Sequence, residues 1–147
     1  MDKFELLPIT LEDINLLDYS EYKGLDKEKR TELINHSKQE IHDEKFFKFY
    51  KFKLNDKVVG FFNVYEHSKS VISIAPNIIE DCRRKGFGAF GLEKVIEKVR
   101  ILGYKIAMAT IREDNIASIK LHEKLKFENA YNYDKQGINY KVYLKSI

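Results

Sequence analysis

The sequence predicts a mixed α/β (α+β) fold, in which a mostly antiparallel central sheet is flanked by helices. Apolar strands and helix-like segments follow one another in the order strand, helices, antiparallel strands, helix, strand, helix, hairpin. The turn signal Asn55–Asp56 joins two successive strands, which makes them antiparallel neighbours. The chain has 147 residues and carries no repeat or linker, so a single domain, 1–147, is expected.

The N-terminal part predicts a strand that closes near Pro8 and then a helical turn that starts at Thr10 with Asp13 three residues later. Residues 25–42 are polar and favour a helix that is largely exposed. The few apolar positions of that helix are Leu33, Ile34 and Ile41.

Three strands are predicted next. Residues 45–54 are rich in aromatic side chains, which favours a strand. Residues 57–65 are apolar on both faces, which predicts a central strand covered on both sides. The third strand, 70–79, contains Pro76, which should mark a bulge or a sheet edge because proline cannot donate to a ladder.

The C-terminal half predicts a helix from about Ala89 that ends at Gly103, a strand at 104–111, and a helix capped by Asn115. The apolar stripe of the first helix is Leu92, Val95, Ile96, Val99 and Leu102. The apolar positions of the second helix are Ala117, Leu121 and Leu125.

A hairpin with a turn at 134–137 is predicted to close the chain. In its last strand apolar positions should alternate with polar ones, which indicates one covered face. The covered set is Ile138, Tyr140, Val142 and Leu144, and the opposite set is Asn139, Lys141 and Tyr143.

Composition excludes several classes of protein. The net charge of +3 is too small to indicate bulk nucleic-acid binding. The single cysteine, Cys82, rules out an internal disulfide and favours a reducing compartment. No apolar run is long enough to cross a membrane, and the first residues do not resemble a signal peptide, so a cytoplasmic protein is expected. The four histidines lack metal-ligand spacing, so no metal is expected.

A glycine-containing loop precedes the first of the two C-terminal helices. Gly86 and Gly88 allow a ligand to approach the backbone, and the helix start offers unpaired N–H groups. Arg83, Arg84 and Lys85 add positive charge. This combination predicts a phosphate-binding loop suited to a pyrophosphate. The alternative is a tight strand-to-helix connection with solvated cations. The spacing fits neither a nucleotide P-loop nor a dinucleotide fold.

A second group of polar residues lies about thirty residues later. Asn115, Ser118 and His122 are spaced by three and four, so they share one helix face. The alternative is that Asn115 only caps the helix while the other two side chains are half-exposed.

Together the two stretches resemble the GCN5-related N-acetyltransferase (GNAT) family. The family's R/Q-x-x-G-x-G/A loop stands here as residues 83–88, and its later N-x-x-S motif stands as NIASIKLHEKLKF, residues 115–127. The resemblance implies a splayed pair of central strands and an acetyl-CoA-dependent acyltransferase. Such an N-acetyltransferase would acetylate a primary amine of a small molecule or protein, without nucleic acid. Dimers are common in the family, so a homodimer is one candidate assembly.

The resemblance also implies site residues. The backbone from Arg84 to Ala89 would hold the CoA pyrophosphate, and the strand end at Ile78–Ile79 would pair with the pantetheine arm. Asn115 and Ser118 would face the cofactor. The full set of implied cofactor-binding residues is Ile78, Ile79, Arg83, Arg84, Lys85, Gly86, Phe87, Gly88, Ala89, Asn115 and Ser118.

Two positions depart from the family pattern. His122 stands where a tyrosine often protonates the departing thiolate, and Lys126 stands where a glycine closes the motif. We therefore predict that His122 is the catalytic acid, because an imidazole exchanges protons near neutral pH. Cys82 has no partner that suggests an acyl-cysteine, so it is interpreted as incidental.

The general base and the acceptor site stay open. Candidate bases are Glu66, His67, Glu80 and Asp81, or a water molecule. Acceptor specificity is expected in residues 18–45 and near 134–137. The tyrosines 131, 133 and 140 either line the acceptor side or pack and contact solvent.

Two other functions compete with this one. Residues 45–53 interleave four lysines with five aromatic side chains, as a single-stranded nucleic-acid platform would. Their alternation between two faces favours a two-sided core instead. A CoA-binding domain without catalysis is the other alternative, which the departure at His122 leaves open.

Overall fold

The computed structural model describes residues 2–147. Its strands are β1 (Phe4–Pro8), β2 (Ile41–His42), β3 (Lys45–Leu54), β4 (Lys57–Ser68), β5 (Val71–Ile78), β6 (Ile106–Arg112), β7 (Glu128–Lys135) and β8 (Ile138–Ser146). Its α-helices are α1 (Lys27–Gln39), α2 (Phe87–Ile101) and α3 (Ile116–Lys124). Three 3₁₀ helices span Leu11–Tyr19, Glu21–Gly24 and Glu80–Cys82.

The strands form one mixed sheet. Its order is β1-β3-β4-β5-β6-β8-β7, and the short β2 pairs with β3. Only the β5–β6 pair is parallel, because α2 carries the chain back between these two strands. The other pairs are antiparallel, as the sequence predicts.

The two central strands β5 and β6 separate after a short contact. They pair only where Val71–Ser73 lies opposite Ile106–Met108. Beyond that contact β5 stays with β4 up to Ile78, while β6 stays with β8 up to Arg112. The sheet therefore opens into a slot, which confirms the expected splayed strand pair.

Pro76 lies on the edge of this slot. The β4–β5 register runs unbroken past the Phe62–Pro76 pair, so the proline marks an edge and β5 has no bulge near Ile78. The N–H of Ile79 donates to the carbonyl oxygen of Val59 at 2.9 Å. Because bonding direction alternates along an antiparallel ladder, the main-chain groups of Ile78 and Pro76 face the slot. The missing N–H of proline thus costs no ladder bond.

Apolar side chains cover both faces of the sheet. Tyr50 and Phe52 of β3 pack in the cluster beneath α2 and α3, whereas Phe47 and Phe49 pack in the cluster beneath α1. The β4 strand is buried over most of its length, which confirms that it is central. The aromatic alternation of β3 therefore builds a two-sided core.

Some helix predictions are wrong at their ends. Helix α2 begins at Phe87, two residues before the expected start, and its stripe ends at Val99. Leu102 is 55% exposed because it follows the helix and no element covers it. Ala117 is also exposed, in the first turn of α3. Helix α1 ends at Gln39, so Ile41 lies in β2 and is exposed.

The last strand does not bury a single face. Val142 and Tyr143 are both only 1% exposed, because β8 lies between β6 and β7 and is covered on both sides. The hydroxyl of Tyr143 reaches Glu123 Oε2 at 3.3 Å, so this polar tip has a partner under α3. The predicted alternation of burial along this strand is wrong for that reason.

No helix in the described part of the chain is both long and apolar enough to span a bilayer. Residues 2–147 also contain no cluster of three or more histidine, cysteine or acidic side chains arranged to hold a metal ion.

Candidate functional site

The slot between β5 and β6 opens into a cavity of about 540 Å³. The end of β5, the glycine loop, the start of α2 and the start of α3 all contribute to its wall. The sequence-predicted residues that line it are Ile78, Arg83, Arg84, Gly86, Phe87, Gly88, Asn115 and Ser118. Two stretches that are thirty residues apart in sequence thus meet in one cavity.

Three predicted residues, Ile79, Lys85 and Ala89, do not line this wall. The N–H of Ile79 is used by Val59, and the side chains of Ile79 and Ala89 pack against the core. Lys85 is exposed on the loop. Any role for these residues in ligand binding would pass through the main chain or through long-range charge.

The loop geometry explains the first glycine. Gly86 has φ +80 and precedes the first residue of α2, so it adopts the left-handed conformation that favours glycine. Arg84 also has positive φ, at +64, which is uncommon for a residue with a side chain. This turn leaves the first N–H groups of α2 without helical acceptors at the mouth of the cavity.

The second glycine has a different role. Gly88 lies in the first turn of α2 with ordinary helical φ. A Cβ placed there would lie 3.0 Å from Cδ1 of Leu121 in α3. The absence of a side chain therefore lets the two helices approach beside the slot.

The cations of the loop have no acidic partner. Arg83, Arg84 and Lys85 form no ion pair with a carboxylate anywhere in residues 2–147. The Nε of Arg83 donates to the carbonyl oxygen of Ile78 at 3.0 Å, which braces the end of β5. Uncompensated positive charge at a helix N-terminus favours an anionic group in the cavity.

The start of α3 is organised by Asn115. Its side-chain oxygen accepts the N–H of Ser118 at 3.2 Å, which confirms the predicted cap. Ser118 is half-buried, and its Oγ lies 3.4 Å from Nδ1 of His122. Both Asn115 and Ser118 line the slot.

His122 is buried, with 1% of its surface exposed. Its Nδ1 lies 2.7 Å from the carbonyl oxygen of Ser118, which places the ring proton on Nδ1. Its Nε2 has no hydrogen-bond partner in residues 2–147. Burial lowers the pKa of His122, and the bond to Ser118 opposes this only in part. The imidazole is therefore neutral near pH 7.

A second cavity of about 690 Å³ continues the first. The two share Tyr19, Pro76, Asn77, Asn115 and Ser118, so they form one passage through the splayed sheet. The wall of the second cavity adds His122 and other residues. The residues that line the second cavity and not the first include Glu21, Tyr65, Tyr133 and Tyr140.

The structure brings in residues that the sequence does not single out. Tyr19 and Glu21 flank the junction of two 3₁₀ helices, where no motif precedes or follows them. Of the open candidates for a base, none of Glu66, His67, Glu80 and Asp81 lines either cavity. Tyr133 and Tyr140 do line the second cavity, and Tyr131 does not.

Comparison with known proteins gives the family. The sequence profile of the Acetyltransferase (GNAT) family matches residues 10–127, which is well over half of the chain. The chain belongs to the GNAT family. This confirms the resemblance carried by the glycine loop and the α3 motif.

Two curated relatives are L-methionine sulfoximine/L-methionine sulfone acetyltransferases of Pseudomonas paraeruginosa and Pseudomonas aeruginosa. Each is 33% identical over 69 residues, which is 47% of this chain. The match spans 40% of each relative's length.

Solved GNAT structures share the fold. An N-acetyltransferase of Staphylococcus aureus has a TM-score of 0.79 at 20% identity, over 98% of both chains. A ribosomal-protein-alanine N-acetyltransferase of Brucella melitensis has a TM-score of 0.78 at 20% identity, over 97% of this chain and 99% of that one. The yncA protein of Salmonella typhimurium, solved with acetyl-CoA, has a TM-score of 0.76 at 15% identity, over 98% of this chain and 94% of that one.

The nucleic-acid alternative finds no support in this GNAT fold. Stacking of bases needs exposed aromatic faces. Phe47, Phe49, Tyr50 and Phe52 of β3 are each at most 7% exposed. The lysines between them therefore belong to a strand whose aromatic side chains are in the core.

Proposed function

We propose that this GNAT family member is an N-acetyltransferase that uses acetyl-CoA as cosubstrate and acetylates a primary amine. The observation that carries the proposal is the continuous passage through the splayed sheet, with a cationic helix N-terminus at one end and the tyrosine-rich cavity at the other. Such a passage suits two reactants that enter from opposite faces and meet in the slot.

The chain's residues fit acetyl-CoA. The first-turn N–H groups of α2, from Phe87 to Ala89, together with Arg83 and Arg84, would hold the diphosphate. The N–H of Ile78 faces the slot and would pair with the pantetheine arm, while its carbonyl oxygen accepts from Arg83. Acetyl-CoA, when bound, supplies an acetyl group activated as a thioester. No metal is part of this proposal.

The proton donor stays a prediction. His122 would act as general acid for the leaving thiolate, since it lines the passage beside Asn115 and Ser118. The lowered pKa and the bond from Nδ1 to Ser118 leave Nε2 of the resting imidazole without a proton, so the acid role would run through the imidazolium, the minor form near pH 7. His122→Gln should therefore lower turnover with little effect on CoA affinity if the imidazole carries the proton. Unchanged turnover and an unchanged pH profile would end this assignment.

The acceptor class is supported by the activities named for the relatives. The curated relatives acetylate amino-acid derivatives, and one structural relative acetylates a protein alanine, so the acceptor here is a primary amine on a small molecule or a protein. A cytoplasmic location, supported by the single cysteine, and a homodimer are further predictions.

Calorimetry with coenzyme A tests the cosubstrate. Wild-type protein should bind coenzyme A at micromolar concentration, and Arg84→Gln should weaken binding several-fold. Arg100→Gln, an exposed cation at the other end of α2, serves as the matched control and should change nothing. Absence of binding to wild type would overturn the proposal.

An acceptor screen tests the reaction itself. Release of free CoA thiol should depend on an added amine. If the protein binds coenzyme A but no amine in the screen leads to release of free thiol, the noncatalytic CoA-binding domain is favoured. A thermal shift produced by an oligonucleotide and weakened by salt would instead favour the nucleic-acid module.

A further inference from the structure

One carboxylate lines the passage. Among residues 2–147, Glu21 is the single acidic residue in the walls of the two cavities. It enters from the 3₁₀ helix Glu21–Gly24 and lines the second cavity but not the first. An amine that reaches the slot as an ammonium ion meets one negative side chain there.

A buried asparagine holds this carboxylate. Asn63 of β4 is 1% exposed, and its Nδ2 donates to Glu21 Oε1 at 3.3 Å and to Tyr22 Oη at 2.8 Å. Asn63 lies directly opposite Ala75, a β5 residue in the wall of the passage. A buried amide in an otherwise apolar strand is costly unless it forms hydrogen bonds. Both bonds of Asn63 run from Nδ2, whereas its Oδ1 has no partner in residues 2–147. The Nδ2 bond holds the Glu21 carboxylate near the place where β5 leaves β6.

The hydroxyl of Tyr22 completes this arrangement. Burial, and then the charge of Glu21, raise the pKa of Tyr22, so the hydroxyl stays protonated at neutral pH. A protonated hydroxyl can donate while it accepts from Asn63. The amide of Asn63 and the hydroxyl of Tyr22 are both neutral, so neither compensates the negative charge of the Glu21 carboxylate.

The segment that carries Glu21 is fixed by Arg30 of α1. Arg30 is largely buried, pairs with Asp18 Oδ1 at 2.7 Å, and donates to the carbonyl oxygen of Lys23 at 2.7 Å. Its Nε donates to the carbonyl oxygen of Leu25 at 3.0 Å. These bonds bracket Glu21 on both sides along the chain, so its backbone position is set by tertiary contacts.

Aromatic rings face the same cavity. Tyr133 and Tyr140 stack with their centroids 5.2 Å apart, and Tyr65 lies in the same wall. Tyrosine faces attract cations and pack against flat apolar groups. Two cations also line the passage on this side. Arg112 is engaged by Asp114 at 2.9 Å, whereas Lys135 is exposed on the hairpin.

We propose that Glu21 is the specificity-determining residue for the acceptor, that it binds the acceptor's ammonium group, and that Asn63 is the positioning residue that aims its carboxylate. The acceptor class is a primary ammonium ion on a flat apolar body that packs against Tyr65, Tyr133 and Tyr140. This proposal rests on the proposed acetyltransferase function, because it concerns the second substrate of that reaction.

Calorimetry with a charged and a neutral probe tests the proposal. Benzylamine, protonated at neutral pH, and benzyl alcohol, its neutral analogue, are titrated into protein saturated with coenzyme A. Wild type should bind the amine about ten-fold more tightly than the alcohol, the size of one charge-assisted hydrogen bond. Glu21→Gln should remove that preference and leave the affinity for coenzyme A unchanged. Glu93→Gln, an exposed carboxylate change on α2, is the control and should keep the preference.

The variant Asn63→Leu tests whether Asn63 orients the Glu21 carboxylate or only stabilises the fold. It should reduce the preference for the amine while affinity for benzyl alcohol and coenzyme A stays at the wild-type level. If this buried change prevents folding, the exposed Glu21→Gln still decides the proposal. A retained preference in Glu21→Gln, or no binding of benzylamine to wild type that binds coenzyme A, overturns it. Failure to bind coenzyme A at all would instead overturn the proposed function.

Discussion

The Nδ1 of His122 lies 2.7 Å from the carbonyl oxygen of Ser118, one turn earlier in α3. This contact fixes the position of the ring proton, whereas burial, with 1% of the residue exposed, lowers the pKa of His122 and keeps the imidazole neutral near pH 7. The helix face that joins Asn115, Ser118 and His122 is thus a connected set of hydrogen bonds beside the slot.

The neutral imidazole makes the free energy of unfolding depend on pH. Burial lowers the pKa of His122 in the folded state below the value of about 6.5 in the unfolded chain. Below that value the unfolded chain binds the extra proton first, so stability is present above pH 6.5 and falls as the pH drops toward the folded pKa. The slope should approach about 1.4 kcal/mol per pH unit.

Urea unfolding between pH 7.5 and 5, at about half-unit steps, measures this dependence. His122→Gln should be less sensitive to acid than wild type, and the other three histidines act as an internal control because both proteins keep them. Parallel pH curves for the two proteins would contradict a depressed pKa.

The conformation of Gly86 predicts a selective response to substitution. At φ +80 an alanine is strained, and nothing lies within 4 Å of the added Cβ, so the cost is conformational. Gly86→Ala should lower the free energy of unfolding by about 1 kcal/mol. Gly86→Asn should cost less, since asparagine tolerates this region. Equal losses in the two variants, measured by urea unfolding, would show that the strain is not the cause.

A side chain at Gly91 should disturb the packing of the core. A Cβ there would lie 2.5 Å from Cζ of Phe62 and 2.9 Å from Cε2 of Phe52, and both rings are fully buried. Gly91→Ala should therefore destabilise by about 1–3 kcal/mol through overpacking. The added change Phe62→Leu should relieve part of this loss, so the double variant should be more stable than the sum of the single variants predicts. Strict additivity would argue against the clash.

Cys82 is expected to carry no acyl group. It is 3% exposed and packs in the core cluster beneath α2, although its surface touches the cavity wall. Intact-mass spectrometry of protein incubated with acetyl-CoA and quenched in acid should show the unmodified mass. A thiol reagent should label Cys82 only as the protein unfolds. An acetyl adduct at this residue would require a covalent mechanism instead of direct transfer.

Much of the site follows from local signals. The turn at Gly86 is predictable because it needs a backbone that only glycine adopts easily, and the cap at Asn115 is predictable because its side chain bonds three residues ahead. The face shared by Ser118 and His122 follows from the helical period. The residues that hold the acceptor side, Glu21 and Asn63, carry no such signal. They are 42 positions apart and meet only because Arg30 and the sheet bring them together.

The sequence by itself determined most of the helices and strands and the turn at Gly86, because backbone conformation and side-chain period act within a few residues. It also determined the two-sided core around β3, since alternate aromatic side chains must face opposite ways. Only the tertiary structure decided that His122 and Tyr143 are buried, that Leu102 is exposed, and that one carboxylate faces the slot. Burial and charge at these positions depend on which distant elements cover them, and that is a property of packing.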